Sequence, residues 1–209
     1  MIMKKTWIGF LTLALVFLLG TFSRPALADD TAAVQKLVQV KITQVIDLLR
    51  DKKMAKPERN KRILDVVVPI FDFKTMAQLS LGKKYWTEMT PAQQAEFSEL
   101  FVKRLQESYL EKLDLYTDED VAVDEAVLVK SRIHVRSFLV SKTDKKEMIY
   151  KFYQVDEQWK VYDVEILGVS IVQTYRSQFD GLLKSGGIEP LLAKLRVAGS
   201  FTVPTAEGK

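Results

Sequence analysis

Residues 159–179 read WKVYDVEILGVSIVQTYRSQF. Lys160, Tyr162, Val164 and Ile166 alternate with Trp159, Val161, Asp163 and Glu165, which is the period of a β-strand. Gly168 breaks that strand. Beyond it the apolar positions are Ile171, Val172, Tyr175, Phe179, Leu182 and Leu183, a helical spacing that starts at Ser170 and that Gly186 and Gly187 end.

Upstream of this junction the alternation persists. Met148, Tyr150 and Phe152 alternate with Ile149, Lys151 and Tyr153. Ile133 and Val135 alternate with Arg132, His134 and Arg136, and Val121 and Val123 begin the pattern. Short polar turns separate the runs, Thr143–Lys146 and Asp156–Gln158 among them, so four strands are expected as an antiparallel meander.

Before Tyr116 the period is helical. One stripe runs Val34, Leu37, Val38, Ile42, Val45, Ile46, Leu49. The polar stretch Lys53–Asn60, with Pro57, reads as a break and a fresh start, and Arg62–Val67 continues a second helix that Pro69 must stop. Asp72 is placed to cap a short helix carrying Phe73, Met76 and Leu79, with Gly82 at its end. Thr90-Pro91-Ala92-Gln93 offers a cap, a proline at the first helical position and a reciprocating glutamine. Phe97, Leu100, Phe101, Leu105, Ser108, Tyr109 and Leu113 then share one face of a long helix. Pro190–Arg196 is expected as a last short helix, and residues 200–209 as a frayed polar tail. Helices, then antiparallel strands, then helices, without βαβ alternation, define an α+β fold with helices packed on a twisted four-stranded antiparallel sheet.

Residues 1–28 are expected to be a signal peptide: Lys4 and Lys5, an apolar run from Trp7 to Leu19, then Ala26-Leu27-Ala28 before a cleavage point. The run is short for a transmembrane helix, and a chain without cysteine has no site for lipidation. Cleavage removes Lys4, Lys5 and Arg24 but no acid, so the formal charge falls from +4 to +1. A near-neutral surface has no broad attraction for nucleic acid. The expected organisation is a single domain over 29–199. With no disulfides, its stability must come from the core, which a chain of about this length can supply.

Catalytic residues are scarce. His134 is the only histidine and shares a strand face with Arg132 and Arg136. One histidine and no cysteine argue against a zinc site or a Cys-His dyad. Gly168-Val169-Ser170 is not the serine elbow of a hydrolase, and no phosphate-cradling glycine loop is present. Asp163 and Glu165 are a carboxylate pair whose ordinary reading is a solvated strand face. Arg176 stands to meet one of them or to hold a phosphate. The abundant apolar faces have two readings, a closed core or a cleft for an apolar ligand. No catalytic residue, metal or cofactor is expected.

The run from Trp159 to Phe179 resembles the MlaC family, the toluene-tolerance auxiliary family of periplasmic phospholipid-binding proteins. Phe71-Asp72-Phe73, Met76-Ala77, Leu81-Gly82, Tyr85-Trp86 and Thr90-Pro91-Ala92-Gln93, followed by Phe97, Phe101, Leu105 and Tyr109, are similar to its helical half. Leu167 departs from the glutamate common there. The resemblance implies an enlarged NTF2/cystatin-like domain with an apolar cavity between sheet and helices. It also implies a non-enzymatic phospholipid carrier between an outer-membrane lipoprotein–porin complex and an inner-membrane ABC transporter with an MCE-domain protein. Strand and helix parity then nominate as tail-lining Phe101, Leu105, Tyr109, Ile133, Val135, Tyr150, Phe152, Tyr162, Val164, Val169, Val172, Tyr175 and Phe179, with Arg176 at the headgroup rim. Which sheet face lines the cavity stays open at this point. So do a different lipid cargo, such as a hopanoid or quinone, an NTF2-like enzyme using His134, and a closed interaction module.

Overall fold

The computed structural model describes residues 26–114, 116, 119–141, 145–197, 199 and 201. The expected signal segment up to residue 25, the turn residues Thr143 and Asp144, and residues 202–209 of the expected tail lie outside these. Among the described residues no helix is long and apolar enough to cross a membrane.

Helix α1 (Ala26–Arg50) buries Val34, Val38 and Leu49 from the expected stripe. Helix α2 (Lys56–Val67) starts inside the stretch expected to be a break and a fresh start. Pro57 occupies its first turn, where a proline removes no hydrogen bond and its fixed φ suits the helix, so it marks the fresh start. Pro69 then allows only one 3-10 turn, Val68–Ile70. In α3 (Phe73–Leu81) the Asp72 carboxylate accepts from the Thr75 amide at 2.9 Å and the Thr75 hydroxyl at 2.8 Å. Gly82 ends α3 at φ +85°, a conformation strained for any residue with a Cβ. It also starts α4 (Lys83–Glu88), an element the periodicity did not foretell. The capping box of α5 (Pro91–Leu113) is formed as expected: the Gln93 amide donates to the Thr90 hydroxyl (3.2 Å) and the Thr90 amide to the Gln93 side chain (2.9 Å).

Among the described residues the sheet has six strands, not four: β1 (Asp120–Val123), β2 (Val127–Val129), β3 (Arg132–Val140), β4 (Lys145–Val155), β5 (Gln158–Ile166) and β6 (Val169–Ser170). The order is β1-β3-β4-β5-β6, all antiparallel, and β2 extends the β1 edge along β3. The two unforeseen strands are short, and β2 is exposed along its length, so neither carries an alternating signature. Leu167 (φ +49°) and Gly168 (φ +78°) form the tight reversal from β5 to β6, which runs directly into α6 (Ile171–Gly186). Helix α7 (Ile188–Leu195) follows and opens two residues before Pro190.

A β-bulge decides which β5 side chains face inward. Phe152 pairs with Val161 but Lys151 with Asp163, so Tyr162 is the extra residue. Val161, Val164 and Ile166 join the helix-facing side, while Tyr162 is displaced to the outer face. There its ring meets Tyr153 edge-on at 5.7 Å and the Arg132 guanidinium at 4.4 Å. Strict parity, which put Tyr162 beside Val164 and Val161 on the opposite face, holds from Asp163 onward and fails before it.

The helices cover the inner face of the sheet. The Asp72 amide donates to the Val161 carbonyl at 2.8 Å, and the Tyr153 hydroxyl donates to the Asp72 carboxylate, fastening the start of α3 to β5 and β4. Between α5, α6 and α7 lies a closed aromatic cluster. Phe97, Phe101, Tyr175 and Phe179 are fully buried with ring centroids 5.2–6.3 Å apart. Phe201, from the stretch expected to be a frayed tail, is half-buried against this cluster, its ring 5.1 Å from Phe179.

Candidate functional site

Next to the closed cluster the packing stops short. A cavity of about 410 Å³ separates α1 and α2 from the sheet. Val38, Ile42, Val45, Ile46 and Leu49 of α1 form one wall, continued by Ile63, Leu64 and Val67 of α2. Ile70, Phe71, Phe73 and Met76 close one side, with the Phe71 and Phe73 rings stacked 5.3 Å apart. The second half of α5 supplies Leu105, Tyr109, Leu110 and Leu113. The sheet presents Val121, Leu139, Met148, Tyr150, Val164 and Ile166, and Ile171 opens α6 beside them. This volume is in the range of small-molecule sites, and its walls are hydrocarbon, which suits an apolar ligand.

The few polar lining groups are Gln106, Lys41, Lys112, Lys146 and Glu119, with the phenols of Tyr109, Tyr116 and Tyr150. Burial pushes the Tyr109 phenol well above its ordinary pKa, with Tyr175 and Asp163 adding to the shift, and burial also raises Tyr150. Both phenols are therefore neutral near pH 7, and the inner wall carries no charge there.

Of the thirteen positions that parity nominated, Leu105, Tyr109, Tyr150 and Val164 line the cavity. Phe101, Val172, Tyr175 and Phe179 are buried in the closed core, and Ile133, Val135 and Phe152 are buried under the helix layer away from the cavity. Tyr162 is on the outer face, and Val169 is half exposed on β6. Arg176 is exposed on α6 with its guanidinium against Gly82, on no wall of the cavity. Sequence reasoning passed over the α1 stripe and α2. Their helical spacing was plain, but nothing in it distinguishes a face packed on protein from one facing a void.

The expected acid pair is not solvated. Asp163 is buried, and Lys151 stands between it (3.2 Å) and Glu165. Asp163 also accepts from the Ser170 hydroxyl at 2.8 Å and the Val172 amide at 3.2 Å, which ties β5 to the start of α6. Burial alone would lower the Lys151 pKa, but the two carboxylates outweigh it and hold the ammonium charged. These acids are committed to structure. His134 is opposite Lys151 on the outer face, and burial together with the Lys151 charge depresses its pKa. Among the described residues no cluster of histidine and acidic side chains is arranged to hold a metal ion.

Fold and site together define the class: an α+β domain whose helices and sheet enclose an open, hydrocarbon-walled chamber. Residues 39–197 match the MlaC protein family, and the chain belongs to it. It is similar to the toluene tolerance protein ttg2D of Pseudomonas putida, 25% identical over 86% of each chain. It is also similar to the intermembrane phospholipid transport system binding protein MlaC of Haemophilus influenzae, 22% identical over 96% of each. Among solved structures it is similar to a phospholipid-binding protein from Ralstonia solanacearum in complex with a phospholipid. That likeness has a TM-score of 0.70 and 25% identity, and covers 78% of this chain and 94% of the other.

Proposed function

We propose that this protein is a non-enzymatic carrier of phospholipid, holding acyl chains in the chamber between α1, α2, α5 and the sheet. The observation that carries the reading is the chamber itself: about 410 Å³ of apolar space in a fold similar to one solved with a phospholipid bound. A bare lipid crosses water at a cost of about 0.8 kcal/mol per exposed CH₂, or on the order of 25 kcal/mol for two sixteen-carbon tails. An apolar slot lowers that cost and requires no chemistry from the protein, in keeping with the structural roles of Asp163, Glu165 and Lys151. The tail-lining set is the wall described above. It keeps Leu105, Tyr109, Tyr150 and Val164 from the sequence reading and replaces the others.

The carrier works in the periplasm after cleavage following Ala28. It exchanges cargo with a lipoprotein–porin complex at the outer membrane and an ABC transporter with an MCE-domain protein at the inner membrane. Direction comes from those complexes, because the carrier holds no energy source. The family and the N-terminal pattern support this part of the reading, and N-terminal sequencing of exported protein should begin at Asp29. Native mass spectrometry of protein purified from bacteria tests the central claim. About one phospholipid per chain is expected, a hopanoid or quinone would change the cargo, and chains without lipid would reject the carrier.

A further inference from the structure

We infer that the chamber selects lipids with a net negative headgroup, through a rim of Lys41, Lys112 and Lys146. This inference rests on the carrier reading and adds the class of headgroup to it. The three lysines come from three separate elements, α1, α5 and β4, yet all line the same cavity. A lysine can line a hydrocarbon wall only with its stem, since desolvating the ammonium is too costly, so its charge goes to the water at the edge. The exposures agree, Lys112 being exposed and Lys41 and Lys146 half-buried. Glu119 is the only described lining acid, so cations outnumber anions there.

Neighbouring acids leave the charges of Lys41 and Lys112 uncancelled. Asp114 is held by Lys56 at 2.7 Å and Arg59 at 2.5 Å, and Asp120 by Arg50 at 3.4 Å. Among the described residues Lys41 and Lys112 have no ion-pair partner. A headgroup anchored by tails in the chamber must emerge at its edge. A zwitterionic headgroup brings its own cation, which competes for the phosphate and is repelled by the lysines, whereas an anionic one leaves its charge for them.

The test equilibrates delipidated protein with neutral detergent micelles holding equal phosphatidylglycerol and phosphatidylcholine of identical tails, and native mass spectrometry reads the lipid retained. Micelles remove any effect of docking on a charged bilayer. Phosphatidylglycerol is expected to exceed phosphatidylcholine about five-fold at low salt, which is about 1 kcal/mol. The ratio should fall toward one in K41Q/K112Q/K146Q and persist in K41R/K112R/K146R, which also serves if the glutamine variant does not fold. The exterior triple K83Q/K103Q/K184Q removes the same charge and should keep the preference. Equal retention of both lipids by the wild-type protein overturns the inference and leaves the carrier reading intact. So does a preference that survives the rim glutamines or is lost in the exterior control. Retention of neither lipid rejects the carrier reading itself.

Discussion

Helix α5 runs along two interiors that were built differently. Its first half places Phe97 and Phe101 among Tyr175 and Phe179, where flat rings meet face and edge and no side chain is exposed. Its second half places Leu105, Tyr109, Leu110 and Leu113 beside a void that α1 and α2 do not fill. Both halves are apolar, so hydrophobicity does not separate them. What separates them is whether the opposite wall comes within contact distance. Helices α6 and α7 do so at the aromatic cluster. On the other side the start of α3 is fastened through Asp72 to Tyr153 of β4 and Val161 of β5, and α1 and α2 arch over the remaining sheet. A closed cluster that carries stability allows its neighbour to stay unfilled.

The difference can be broken experimentally. Phe179→Ala removes a ring from the closed cluster and should lower the unfolding free energy by about 3–5 kcal/mol, read by urea denaturation. Chains still folded should retain lipid. Loss of lipid at unchanged stability would show the two interiors to be coupled. Added bulk should sort the regions in the opposite way. Leu191→Trp, at a fully buried site, should cost about 1–3 kcal/mol. Ile46→Trp, on the chamber wall, should shift the stability of delipidated protein by less than about 1 kcal/mol while cutting lipid retention at least ten-fold. Equal destabilisation by both would mean that the void is not available space.

The smallest expected effect concerns the fastening between the regions. Burial raises the Asp72 pKa, but hydrogen bonds from the Tyr153 hydroxyl and from the Thr75 amide and hydroxyl outweigh it, and the net shift is downward. A carboxyl depressed on folding stabilises the protein above its unfolded pKa of about 4, and that contribution is lost as pH falls below it. Between pH 6 and pH 3 the wild-type protein should therefore lose about 1 kcal/mol more stability than Asp72→Asn, the size of a helix cap. Identical pH profiles from thermal unfolding would remove Asp72 from this role.

Much of the local structure was legible in the sequence. The Thr90 capping box, the Asp72 cap, the strand-to-helix junction at Gly168 and the stripe of α1 follow from short-range chemistry, and each was found where its pattern predicted. The errors have physical causes. Strand β2 carries no alternation to read. The bulge at Tyr162 shifted parity by one residue, beyond any rule of alternation.

The chamber belongs to a different level of organisation. Residue types and their spacing determined that this chain forms an α+β domain with amphipathic helices over an antiparallel sheet, because periodicity is a property of each segment alone. Only tertiary structure decided that Phe101 and Phe179 meet their partners while Ile46 and Met148 face open space, and that Lys41, Lys112 and Lys146 border one cavity. A void is a distance between segments remote in sequence, and apolar side chains are written alike whether protein or ligand covers them.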